Sequence, residues 1–186
     1  IENTKGVITT IDVDKDTYIS GHVSMVSSER MLRLLIENGA DIDAQSGLDY
    51  GRNLLFDSIN DRNLRMVKTA LKCGASVECR GVFGHTALGF AICESNSRKM
   101  DDWPESATDD MREIIHILVD YVEDVEEHDG SCHGDILTHA IKDDDFIMVE
   151  KLLEKGLDVS GKLGALYLKV AIDVENLDIV KILLGY

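Results

Sequence analysis

Proline is almost missing from this chain, with Pro104 alone in 186 residues, and aromatic side chains make up only 5%. So few rings argue against a β-sandwich core and suit a stack of helices. The four cysteines, Cys73, Cys79, Cys93 and Cys132, show neither CxxC spacing nor a dense framework. They read as reduced thiols in a reducing compartment. No apolar run approaches the roughly 18 residues that span a bilayer, and no signal peptide is visible. Basic side chains are scarce, 19 against 35 acidic ones, for a net charge of −16. That potential repels phosphate backbones and anionic lipid, so neither nucleic acid nor membrane is an expected partner. A protein with a basic surface is the more natural one, although the charge alone would also serve solubility.

What the chain does have is 44% apolar and 29% charged residues, fitting a folded domain or one continuous array. One apolar signature recurs five times: Leu32/Leu35/Ile36, Val67/Ala70/Leu71, Ile115/Leu118/Val119, Val149/Leu152/Leu153 and Val180/Leu183/Leu184. Each copy follows a large apolar residue, Met31, Met66, Ile114, Met148 or Ile179, which places four side chains on one helical face. The intervals are 35, 48, 34 and 31 residues, so three lie near 33 and the longest exceeds it by 15, as one insertion would produce.

A second pattern precedes the first: Leu55/Ser58/Ile59, Leu88/Ala91/Ile92, Leu137/Ala140/Ile141 and Leu168/Ala171/Ile172. Its central residue is small, which lets two helix backbones come close. The expected unit is two short antiparallel helices joined by a tight turn. After the second helix come Gly39, Gly74 and Gly156, suited to the left-handed conformation that ends a helix. Ile42, Val77 and Val159 follow three positions later, placed to pin the outgoing loop.

These residues resemble the ankyrin repeat. "LLIENGADIDA" (34–44) is close to that family's second-helix-and-turn signature, and "GHTALGFA" (84–91) to its first-helix signature, with Ala87 where proline is usual. The third copy has Val122 where glycine is expected, and the fourth and fifth have lost most of the threonine-proline-leucine-histidine start. The resemblance runs over roughly residues 12–186 and implies an all-α fold, an ankyrin repeat solenoid of helix-turn-helix units with short hairpin-like loops. The repeats would be 12–44, 45–79, 80–125 with an insertion at 95–110, 126–159 and a truncated 160–186. The chain starts at Ile1 and ends inside an apolar pattern, so it reads as part of a longer protein.

One such repeat cannot bury both of its helices, so neighbours bury them jointly and expose a long concave face. That face suits broad contact with another protein. The resemblance places partner contacts on the projecting loops and the ends of the first helices. By matching position these are Asp49, Tyr50, Arg52, Asn60 and Asp61; Val82, Phe83, His85, Cys93 and Glu94; Ser131, Cys132, Lys142 and Asp143; and Lys162, Leu163, Asp173 and Val174. Tyr50 and Phe83 lead, with Arg52 next, because aromatics and arginine dominate hot spots. The alternative is that both rings fold back on the next repeat. Trp103, in the insertion, is a second contact candidate or packs against the outer helices. Ser106 or Thr108 is expected to cap the helix that follows.

Catalytic and metal chemistry finds little support. "DVDKDT" (12–17) begins like a calcium loop but has Thr17 and Val23 where glycine and glutamate belong. His128, Cys132 and His133 lack a fourth zinc ligand. Neither a nucleophile elbow nor a phosphate-cradling glycine loop occurs. The expectation is a protein-binding module without cofactor, in the cytoplasm or nucleus, or in a host cell if the source is a virus or intracellular bacterium. The alternatives are an acidic inhibitor or mimic blocking a nucleic-acid-binding enzyme, and an enzyme hidden in the insertion and fourth repeat.

Overall fold

A computed structural model describes residues 28–45, 52–81, 84–97, 105–123, 125 and 136–186. Among them are nine helices and no strand: α1 (Glu29–Glu37), α2 (Leu54–Asn60), α3 (Leu64–Lys72), α4 (Ala87–Ser97), α5 (Glu105–Tyr121), α6 (Ile136–Lys142), α7 (Phe146–Glu154), α8 (Gly161–Asp173) and α9 (Leu177–Gly185). The all-helical expectation therefore holds for the described residues.

Local chemistry sets the boundaries. Asn53, Asn63, Asp145 and Asn176 each accept a hydrogen bond from a backbone N–H in the first turn of α2, α3, α7 and α9. Each thereby satisfies a donor that the helix itself leaves unpaired. The glycine-ended helices stop alike. Gly39 N–H donates to Ile36 O and Ala40 N–H to Leu35 O; Gly74 and Ala75 repeat this on Leu71 and Ala70, and Gly156 and Leu157 on Leu153 and Leu152. The φ values of the three glycines, 90°, 93° and 87°, are the left-handed ones this ending needs.

The turn between paired helices uses the same geometry without glycine. Arg62 (φ 53°), Asp144 (φ 58°) and Glu175 (φ 58°) are left-handed, each one residue ahead of a helix-capping Asn or Asp. Arg62 N–H donates to Ile59 O and Asn63 N–H to Ser58 O, closing the same pair of bonds.

Consecutive helices pack in pairs, α2 with α3, α4 with α5, α6 with α7 and α8 with α9. The pairs then meet in order: α2 touches α4 and α3 touches α5, while α6 touches α8 and α7 touches α9. Between the second and third of these pairs polar ties accompany the apolar packing. Lys151 Nζ donates to His116 O (3.1 Å) and Lys155 Nζ to Val122 O (2.9 Å), linking α7 to α5 and its end. Val122, where a glycine was expected, is itself buried and its N–H donates to Leu118 O.

One apolar core runs through all of these elements, from Leu32 to Ile179. The small residues Ser58, Ala91, Ala140 and Ala171 are all buried at the centres of their helices. Ser58 Oγ donates to Leu54 O at 2.6 Å, so its hydroxyl costs nothing there. Val77 is buried and Ile42 and Val159 lean on the core, holding the outgoing loops.

The insertion departs from its expected form. Rather than separating two short helices with a polar loop over 95–110, it lengthens both: α4 runs to Ser97 and α5 starts at Glu105. Ser106 and Thr108 thus lie inside α5 rather than ahead of its first turn. The cause is composition, since the polar run from Glu105 contains Glu, Ala and Asp, residues that favour a helix and its first turn without any apolar period.

Candidate interaction surface

Of the nine leading contact residues from the sequence, Asp49, Tyr50, Val82, Phe83, Trp103 and Ser131 lie outside the described residues, as do His128, Cys132 and His133. Arg52, His85 and Lys142 are placed. Arg52 is half-buried just before the helix-capping Asn53, and its Nε finds no hydrogen-bond partner among the described residues. His85 is half-buried, and its carbonyl accepts from Gly81 N–H. Lys142 is exposed at the last turn of α6, where a cation suits the negative helix end. Among the further matched positions, Asp61, Asp173, Val174, Lys162 and Leu163 are exposed; Asn60, Cys93, Glu94 and Asp143 are half-buried.

The packing gathers residues that sequence spacing did not bring together. Arg62, Ser95, Arg112, His139, Asp143 and Asp145 meet around a cavity of about 180 Å³, with Met111, Ile115 and Met148 as its apolar floor. Asp145 is its electrostatic centre. Its carboxylate takes His116 Nε2 at 2.7 Å and Arg112 Nε at 3.9 Å, and accepts from Met148 N–H at 3.0 Å. Burial raises the Asp145 pKa. The hydrogen bonds from His116 and Met148 and the charges of His116 and Arg112 outweigh it, leaving the carboxyl below its ordinary value of 3.8.

A depressed carboxylate stabilises the fold above its ordinary pKa, and that contribution is lost as pH falls through the lowered value. Asp145→Ala should therefore cost about 1–2 kcal/mol near pH 7, mainly the lost cap, with the deficit shrinking below the ordinary pKa. Asp145→Asn should recover most of it, because asparagine fills the same capping position in Asn63 and Asn176. Urea melts of both variants from pH 7 to pH 3 check this; equal losses in the two would contradict it. Asp43 runs the other way. Burial lifts its pKa, against the Ser76 amide that donates to it, so ionising Asp43 works against the fold, and that cost disappears at low pH where the carboxyl is protonated.

His139 Nε2 lies 3.1 Å from Ser95 Oγ, and its Nδ1 lies 3.4 Å from Asp143 Oδ2. The order serine, histidine, aspartate is that of a nucleophilic triad. Ser95, however, sits inside α4 rather than on an exposed turn, and helix-interior N–H groups are committed to carbonyls four residues back. The set ties α4 to α6. Burial also pushes the Cys79 thiol up, with Asp43 adding to the rise, so it is a poor nucleophile. No group of three or more His, Cys, Asp or Glu side chains suits a metal ion among the described residues, and no helix among them is long and apolar enough to cross a membrane.

The signal for this cluster was faint. Asp145 occupies the turn position of Asn63 and Asn176, but nothing in the spacing brings His116 or Arg112 to it. The chain matches no family model, and no curated protein matches it.

Proposed function

We propose that the chain is an ankyrin-type array that binds another protein through the loops and first-helix ends of successive pairs. The observation that carries this reading is the order of packing, first helix against first and second against second in α2–α5 and again in α6–α9. A molecule built so has its first-helix ends in sequence along one side, a surface suited to extended contact. Three of the supporting turns also end on left-handed glycine, as the family's loops do.

Tyr50 and Phe83 remain the proposed hot spots, with Asp49, Arg52, Val82, His85, Trp103, Ser131 and Lys142 around them. Affinity capture followed by mass spectrometry, comparing the whole chain with a Tyr50→Ala/Phe83→Ala double variant of equal helicity, tests the assignment. Loss of the two rings should weaken capture by a factor of at least about ten. Undiminished capture that instead collapses with added salt would remove both rings from the site and leave the acidic-mimic reading in their place.

A further inference from the structure

Charge is spread unevenly along this acidic chain. Residues 52–80 hold six basic side chains (Arg52, Arg62, Arg65, Lys68, Lys72 and Arg80) against three acidic ones (Asp57, Asp61 and Glu78), a net of +3 that leaves −19 on the remainder. Arg62 is buried, Arg52 is half-buried and Arg80 donates to Gly84 O. The other three cations are on α3, whose sequence, LRMVKTALK, contains no acid. Met66, Val67, Ala70 and Leu71 turn one side of that helix into the core. Arg65, Lys68 and Lys72 follow the i, i+3, i+7 spacing of the opposite side and span about 10 Å along it.

The fold accounts for part of this stripe. Lys72 suits the negative end of the helix, and Lys68 Nζ meets Glu113 Oε1 of α5 at 2.6 Å while its side chain stays 42% exposed. Arg65 has no such reason. It stands in the first turn, where its charge opposes the helix dipole and where α1 and α9 carry Glu29 and Asp178 instead. Arg65 and Lys72 are exposed, and neither side chain has a hydrogen bond or ion pair among the described residues. Glu29 of α1 is already committed to Arg33, which donates to it twice, at 3.1 and 2.8 Å. That bond and the Arg33 charge keep the Glu29 carboxyl below its ordinary value of 4.5, with Lys72 and Arg65 adding to the effect, so the field of the α3 cations reaches as far as α1.

The size of the patch selects its partner. Charges act over about 8 Å at physiological salt. A bilayer or a nucleic-acid duplex is a polyanion much wider than a stripe of about 10 Å, and it would meet the surrounding negative charge as well. A short acidic segment of a protein, about four residues when extended, stays within the stripe. Arg65 can hold one of its carboxylates by two parallel hydrogen bonds.

We propose that the outer face of α3 docks an acidic segment of a partner protein, with carboxylates on Arg65 and Lys72 and Lys68 between them. The face belongs to a second helix, so this contact is independent of the one proposed above, which lies on loops and first-helix ends.

Fluorescence anisotropy of a rhodamine-labelled hexaglutamate peptide, titrated with the whole chain in about 50 mM salt, tests it. Saturable binding is expected, weakening at least about tenfold in Arg65→Glu/Lys72→Glu. Lys169→Glu/Lys181→Glu, on α8 and α9, lowers the net charge by the same amount and should bind the peptide as the parent does. Circular dichroism should be alike in all three, since every substituted side chain is exposed. If charge reversal disturbs the helix, Arg65→Gln/Lys72→Gln reads the same contact through a smaller, several-fold loss. Absence of saturable binding, equal weakening in the two charge-reversed variants, or tighter binding of phosphatidylserine vesicles or of a DNA duplex of about 20 base pairs through the same residues would overturn the proposal. So would self-association in sedimentation that the α3 variant alone abolishes, which would give the face to a second copy.

Discussion

Phe56→Ala should remove about 4 kcal/mol of stability, within the 3–5 kcal/mol expected for a buried phenylalanine cut to alanine. The ring is fully buried in α2 and meets Phe90 of α4 with centroids 5.4 Å apart at 52°. It also lies under the backbone of Gly81, where an added Cβ would come 2.9 Å from two ring carbons and 3.0 Å from a third, so the loop offers no side chain to refill the hole. One residue thus joins a helix, the next pair's helix and the loop between them. Because the main helix contacts pass between adjacent pairs, the loss should not spread evenly. Urea unfolding followed by hydrogen exchange should show α2–α5 opening first while amides of α6–α9 stay protected. A midpoint shift worth less than about 1 kcal/mol would mean that the site collapses far better than its packing implies.

A comparable loss is expected from Gly164→Ala, for the opposite reason. An added Cβ at Gly164 would sit 1.7 Å from the Val159 carbonyl oxygen and 2.8 Å from its carbon, both backbone atoms. No rotamer change relieves that overlap. The first turn of α8 has to shift off the strand of chain that leads into it, and Val159, which leans on the core, has to shift with it. Overpacking of this kind costs about 1–3 kcal/mol, and a backbone clash belongs at the upper end. The methyl would otherwise be welcome in a helix, by about 1 kcal/mol relative to glycine. An alanine variant as stable as the parent would show that this approach is looser than described. Thermal unfolding by circular dichroism is sufficient to decide it.

The helices were legible because their signal is carried by burial. Leu32, Val67, Ile115 and Val149, found by spacing alone, are all buried, and so are the small residues Ser58, Ala91, Ala140 and Ala171. Gly39, Gly74 and Gly156 announced themselves because few other residues accept their φ cheaply. The same left-handed turn at Arg62, Asp144 and Glu175 could not be read, since nothing in an Arg or Glu identity marks a positive φ. Fold periodicity also says nothing about which polar tips meet. His116 and Asp145 are 29 residues apart and Ser95 and His139 are 44 apart, separations that become contacts only once the pairs are packed. The helical extension of the insertion leaves no mark in the periodic pattern, because Glu105 and its neighbours have helix propensity but no apolar rhythm. Of the nine leading contact residues that the resemblance implies, Arg52, His85 and Lys142 have a place in the structure, while Tyr50 and Phe83 lie outside the described residues.

The polar ties between pairs have a consequence for how such a chain changes over time. Asp43 reaches the Ser76 amide 33 residues on, Gln45 reaches Arg80 O at 35, Asn176 reaches Asp144 at 32, and Lys68 reaches Glu113 at 45, across the insertion. Each is a rung joining one module to the next. Extra residues inside one module therefore lengthen only their own rung, as the extended α4 and α5 do, and leave the remaining ladder in register. Growth by duplication, or pruning of a whole module, disturbs two junctions at most, so an architecture of this kind can be edited piecewise where a closed core would have to be rebuilt.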